Sequence, residues 1–131
     1  MKSLFQMMQK DRFAAHTQIE LIEIGEGTAK ARLKITENHL NGVGIVQGGA
    51  LFTLADFVFA VASNSRGKVA VTLDANVNFI KAVSSGILTA VAYEIDLKRT
   101  IAIYKVEIHN ESDELIAIFQ STAYRKEPKT N

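Results

Sequence analysis

Asp56 is the residue in this chain with the most chemistry to explain. It sits between Ala55 and Phe57 in the run 49–64, GALFTLADFVFAVASN, which is otherwise almost wholly apolar. Burying an unpaired carboxylate is costly, so such a charge needs either partners or a use. Two readings follow. Asp56 is a core carboxylate satisfied by its neighbours or lying on an oligomer groove, or it is a general base or nucleophile facing a small cleft. In a cleft, desolvation would raise its pKa and nearby donors would lower it. Gly48-Gly49 stands at the start of the same run. If the run is a helix, its first N–H groups lack intrahelical partners and carry the positive end of the dipole. Glycine lets a ligand approach that backbone, and a carbonyl oxygen placed there would meet an oxyanion hole. A plain tight turn is the other reading of the pair.

Several other side chains could join such a site. Asn41 in Asn41-Gly42 either forms the turn or orients a water or polarises a substrate. Gln47 abuts the glycines and could cap the helix or hydrogen-bond the loop. Asp74 shares a polar strand face with Thr72, Asn76 and Asn78, a face that could equally be solvated. Lys81 and Lys98-Arg99 are either solvated cations or phosphate ligands. Gly48 and Asp56 are eight residues apart, ~12 Å along a helix axis. That is too far for both to reach one carbonyl carbon, so a site using both takes Asp56 from a second subunit.

Other chemistries lack their residues. His16, His39 and His109 are widely spaced, with no HxxxH or HxH, which argues against a metal site. Neither phosphate-binding glycine loop is present, and there is no GxSxG elbow. The absence of Cys excludes disulfides, thiolate zinc sites and a thiol nucleophile. With 15 Lys plus Arg against 14 Asp plus Glu, the net charge of +1 lacks the basic excess of a nucleic-acid binder. No signal-peptide pattern and no membrane-length apolar run is visible, so the expected location is the cytoplasm, with no membrane partner.

The elements that would position these residues follow from periodicity. The 131 residues predict a single domain. Residues 18–24 and 28–35 read as strands around Gly25-Glu-Gly27, the second alternating Ala29, Ala31, Leu33 and Ile35 with polar residues. Residues 36–48 read as loop. The run 49–64 reads as a helix apolar on nearly every side, hence buried, with Gly49, Thr53, Asp56, Ala60, Ser63 and Asn64 on its one polar or small stripe. Four further strands are predicted at Val69–Lys81, Ile87–Asp96, Ile101–His109 and Leu115–Arg125. The second and third of these four, over 87–93 and 101–104, are apolar on both faces, which predicts cover from another subunit. Leu4, Phe5 and Met8 suit a short amphipathic helix, and the tail from Arg125 is polar and expected to fray. The order β-β-α-β-β-β-β defines an α+β class with one antiparallel sheet wrapped around a central helix.

The run 38–64, NHLNGVGIVQGGALFTLADFVFAVASN, resembles the signature of the PaaI-type hotdog thioesterases. The element order, the stretch 75–81 (ANVNFIK) and the ending 121–125 (STAYR) are similar to that family as well. The resemblance implies hydrolysis of acyl-CoA or aryl-acyl-CoA thioesters without a metal or other cofactor. It implies that Asp56 activates water or attacks, that the Gly48 N–H holds the carbonyl oxygen, and that Asn41 positions the reactants. It implies that the Asp74 position faces the site. Gln47, Gly49, Lys81 and Arg99 are further candidates for binding substrate by their own chemistry. The resemblance also implies a homodimer, often doubled to a homotetramer, each site taking Asn41 and Gly48 from one subunit and Asp56 and Asp74 from its neighbour.

Two residues depart from that pattern. Gln47 stands where the family most often carries His; glutamine can hydrogen-bond but cannot take a proton at neutral pH. Asp74 stands where a small hydroxyl residue is common, and a second carboxylate near Asp56 would raise one of the two pKa values. Three other readings compete. A non-catalytic acyl-CoA sensor on the same fold would bind without turnover, but the head is too short for a DNA-binding segment. A scaffold role leaves Asp56 unexplained. A hotdog dehydratase would need a catalytic His that the helix lacks.

Overall fold

Residues 2–126 are described by the computed structural model. Two short helices, α1 (Lys2–Gln9) and α2 (Arg12–His16), lead into strands β1 (Ile19–Gly25) and β2 (Thr28–Lys34). A 3₁₀ turn at Glu37–His39 and a loop then reach the long helix α3 (Gly48–Ser63). Strands β3 (Ala70–Phe79), β4 (Ile87–Leu97), β5 (Ile101–His109) and β6 (Leu115–Arg125) follow. The six strands form one sheet in the order β1-β2-β4-β5-β6-β3, antiparallel at every pairing. One sheet around one central helix is the α+β hotdog arrangement expected from the element order.

The core explains why α3 carries so few polar residues. Leu54, Ala55, Val58, Val61 and Ala62 are fully buried against Leu33, Leu88, Ala90, Val106 and Phe119 of the sheet. Burial of each such aliphatic side chain contributes ~1.5–3 kcal/mol. The predicted small and polar stripe is the part that remains open. Gly49 is exposed, and Thr53, Asp56 and Ala60 are half-buried. Ser63 departs from that stripe and is buried.

The sheet differs from expectation at its edge. The outer faces of β4 and β5, predicted to need cover, are only half-exposed, with Ile87, Val91, Ile101 and Ile103 in that class. The strand left open on both faces is β3, where Leu73 is 56% and Phe79 55% exposed. Its alternation suggested an ordinary half-buried strand. Its place at the sheet edge, paired on one side only with β6, decides otherwise.

The head bears out the expected short amphipathic helix and adds a second one. The head forms α1, which buries Leu4. Five residues are too few for a helical period, so α2 is legible only through its cap: Asp11 Oδ1 accepts the Ala14 N–H at 3.0 Å. Arg125 belongs to β6 and is buried; residues 127–131 of the expected frayed tail lie outside the described residues.

A polar network fastens the end of α3 to the sheet. Arg66 donates to both carboxylate oxygens of Glu94, at 2.8 and 3.1 Å, and the buried Tyr104 hydroxyl donates to Glu94 at 2.8 Å. Burial first, and the bond to Glu94 second, push the Tyr104 phenol far above its ordinary range, so it stays a neutral donor. Tyr104→Phe removes that donor from a largely buried carboxylate. We expect a loss of about 1–3 kcal/mol, read from the urea midpoint. An unchanged midpoint would contradict this role.

Candidate active site

The start of α3 is built by its cap. Gln47 is extended (φ −66°, ψ 135°), and its side-chain Oε1 accepts the Gly49 N–H. Its carbonyl accepts the N–H of Ala50 at 2.9 Å and of Leu51 at 3.4 Å. Of the first-turn donors, the Gly48 N–H alone has no partner among the described residues. A Cβ at Gly48 would stand 3.0 Å from the Phe79 ring, so a side chain here would press on that ring unless the ring shifts.

The Gly48 backbone borders a cavity of about 360 Å³ that also touches Asn41, Leu51, Phe79 and Lys81. Asn41 Oδ1 accepts the N–H groups of Val43 (3.0 Å) and Ile45 (3.2 Å). The turn thus consumes its oxygen and leaves its amide N–H₂ as the polar group with no partner among the described residues. Lys81 is ion-paired with Glu114 at the cavity's edge. That hydrogen bond, with a second from Asn110, holds the Glu114 carboxyl below its ordinary value.

Gln47 and Gly49 face a second, larger cavity of about 850 Å³ with Thr53, His16, Asn38 and His39. Two histidines distant in sequence therefore share one cavity, yet among the described residues no group of side chains is disposed to hold a metal ion.

Asp56 lies on the same stripe of α3 as Gly49 and Thr53, one turn further along. It is half-buried and makes no hydrogen bond or ion pair among the described residues. Burial, and then the charge of Asp11 at the α2 cap, raise its pKa above the ordinary value of 3.8. The satisfied-core reading of Asp56 therefore does not hold. Within one chain Asp56 borders neither cavity.

Two candidate members lie apart from these residues within one chain. Asp74 pairs with Thr122 in a register that turns it, with Asn76 and Asn78, to the sheet face away from α3. A bulge between Thr72 and Asp74 shifts the alternation there. The second carboxylate that acts on Asp56 within the chain is thus Asp11 rather than Asp74. Arg99 sits in the β4–β5 turn, where its carbonyl accepts from Lys68 Nζ at 3.0 Å. It is at the opposite end of β3 from Lys81. The structure also adds His39, whose side chain holds the N–H of Thr36. The Thr36-x-x-His39 spacing, shaped like a capping box, was the available signal.

The model of the thioesterase superfamily matches residues 43–117. The acyl-coenzyme A thioesterase PaaI of Escherichia coli is 33% identical over 120 residues, covering 91% of this chain and 86% of that protein. The solved structure of E. coli PaaI superposes with a TM-score of 0.91 at 31% identity, covering 95% of this chain and 91% of that one. The phenylacetic acid degradation protein PaaI of Thermus thermophilus, solved as a mutant, gives a TM-score of 0.85 at 32% identity, over 88% of this chain and all of that one. The chain belongs to the thioesterase superfamily, among its PaaI-type hotdog thioesterases.

The raised pKa of Asp56 has a consequence for stability. A carboxyl whose folded pKa exceeds its unfolded value binds protons more tightly when folded, so its contribution is lost as pH rises through that range. Asp56→Asn removes this loss. We expect the variant to match its parent in Tm below the ordinary carboxylate range and to exceed it near neutral pH. A lower Tm at neutral pH would show that ionised Asp56 has a stabilising partner.

Proposed function

We propose that the protein hydrolyses acyl-CoA thioesters at a site completed by a second copy of the chain. The observation that carries this reading is the unpartnered Gly48 N–H opening onto a cavity beside Asn41, with an unpaired Asp56 on the same helix but remote from it. The E. coli relative's name supports the acyl-CoA part of the reading.

In this reading the thioester carbonyl oxygen accepts from the Gly48 N–H at the positive end of α3, with Asn41 Nδ2 positioning the reactants. Asp56 of the second copy takes a proton from water as that water attacks the carbonyl carbon. Collapse of the tetrahedral intermediate breaks the C–S bond, and the proton held on Asp56 passes to the departing CoA thiolate, which restores the carboxylate. A carboxylate raised by burial is a stronger base than an ordinary one. Asp74, on the far face of the sheet, has no part in these steps.

The second copy fits at β3. This strand presents an open edge and exposes Val71, Leu73 and Phe79, with Ile80 exposed just beyond it. Pairing across a two-fold axis makes the two β3 strands antiparallel, so the Arg99 end of one chain would approach the Lys81 end of the other. The two cations could then serve the phosphates of one CoA. Gln47 supplies the cap that leaves Gly48 as the donor.

The test is release of free CoA, read with a thiol reagent, across a panel of short, long and aryl acyl-CoAs. Asp56→Asn is expected to bind substrate and lose ~10²–10⁴-fold in kcat. Activity within about threefold of the parent would contradict general-base catalysis of that size. A parent that binds acyl-CoA without turnover would be a sensor. Gln47→Ala should weaken turnover more than Gln47→His; equal activity in Gln47→Ala and the parent would remove position 47 from the site.

A further inference from the structure

His39 joins three segments that the site needs. It is 6% exposed and ends the 3₁₀ turn two residues before Asn41. Its Nδ1 accepts the Thr36 N–H at 2.9 Å, with the Thr36 hydroxyl at 3.2 Å. Its Nε2 lies 2.7 Å from the carbonyl oxygen of Thr17, between α2 and β1. A backbone N–H can only donate and a carbonyl can only accept, so the ring is neutral with its proton on Nε2. The backbone of the same residue reaches the third segment: the His39 carbonyl accepts the Gln47 N–H at 2.8 Å. Gln47 in turn caps Gly49 and leaves the Gly48 N–H open.

The junction held at Thr17 does not settle by local preference alone. Gln18, the next residue, has φ +69°, a left-handed conformation costing a non-glycine residue about 1–3 kcal/mol. A neutral imidazole bound on both nitrogens fixes this turn against the loop that carries Asn41 and Gln47. His39 also borders the larger cavity beside Gln47 and Gly49, so the clamp lies against the helix start.

We propose that His39 is a positioning residue for the thioesterase reaction. It acts through Gln47 and Asn41 by holding the Thr36–Gln47 loop and the α2–β1 junction in one geometry. The proposal rests on the reading that the Gly48 N–H receives the thioester oxygen. His39 itself touches no reacting atom.

The experiment compares the full-length parent with His39→Phe, which keeps a planar ring without either hydrogen bond, and His39→Asn, whose Oδ1 can still accept from Thr36. Two readouts are independent of substrate: the tautomer of His39 by ¹⁵N NMR, and amide exchange at Thr36 and Gln47. The parent should show the Nε2–H tautomer. In His39→Phe those two amides should exchange about tenfold faster or more, while amides in the middle of β5 keep their rates. In the same variant kcat should fall ~10–10²-fold with KM nearly unchanged, the signature of lost alignment. His39→Asn should recover part of both losses.

A parent with the proton on Nδ1, unchanged exchange at Thr36 and Gln47, or full kcat in His39→Phe would each overturn the proposal. So would uniform acceleration of all amides in both variants, which marks a purely structural role. If His39→Phe does not fold, His39→Asn alone carries the same readouts. Failure of the underlying reading is visible separately: Asp56→Asn would keep its activity, while tautomer and amide exchange still judge the clamp.

Discussion

Helix α3 has sixteen residues and a single carboxylate, and its apolar sides must be hidden from water. Leu54, Val58, Val61 and Ala62, each fully buried, anchor it across the sheet. The helix axis is then fixed relative to every strand, and its two special places are fixed with it. Its N-terminus is directed at Phe79 and the loop 41–47, and its open stripe faces away from the sheet. The capping by Gln47, the close approach at Gly48 and the isolation of Asp56 all depend on this packing.

The same packing separates the reactive groups. A rigid helix keeps Asp56 about 12 Å along the axis from Gly48. Closing the gap within one chain would mean unwinding a helix that supplies much of the core. In the proposed dimer a second helix, brought up by an edge strand already exposing Leu73 and Phe79, would close it without deformation. The energetic cost of an unpaired, half-buried carboxylate and of a large exposed apolar edge thus meet in one explanation. Each is unfavourable in the isolated chain, and the proposed second copy would account for both.

Much of this was legible in the sequence because periodicity is a local signal. Alternation in 28–35 and the nearly unbroken apolar run of 49–64 located β2 and α3, and one Asp in that run identified Asp56. What periodicity could not supply was position across the sheet. β3 alternates like a core strand, yet lies at the edge with Leu73 exposed. Asp74 keeps the polar face that it shares with Asn76 and Asn78, which turns away from the helix; the one-residue bulge moves Thr72 off that face, and no composition rule announces such a shift. Arg99 and Lys81 looked alike as cations near strand ends; only the topology shows that they lie at opposite ends of β3. His39 was discounted as a metal ligand, and its role in joining Thr17, Thr36 and Gln47 required the long-range contacts of the fold.

The central claim is that Asn41 with Gly48 and Asp56 serve one reaction from two chains. The most direct measurement is thioesterase rate after Asp56→Ala and Asn41→Ala proteins, each nearly inactive, are unfolded together and refolded at varied ratios. Random pairing makes half the dimers mixed, and each mixed dimer holds one doubly defective site and one intact site. The account predicts a rate that peaks at equal amounts, where about a quarter of all sites are intact. Mass-verified mixed dimers without recovery, or a protein that is monomeric while active, would contradict it.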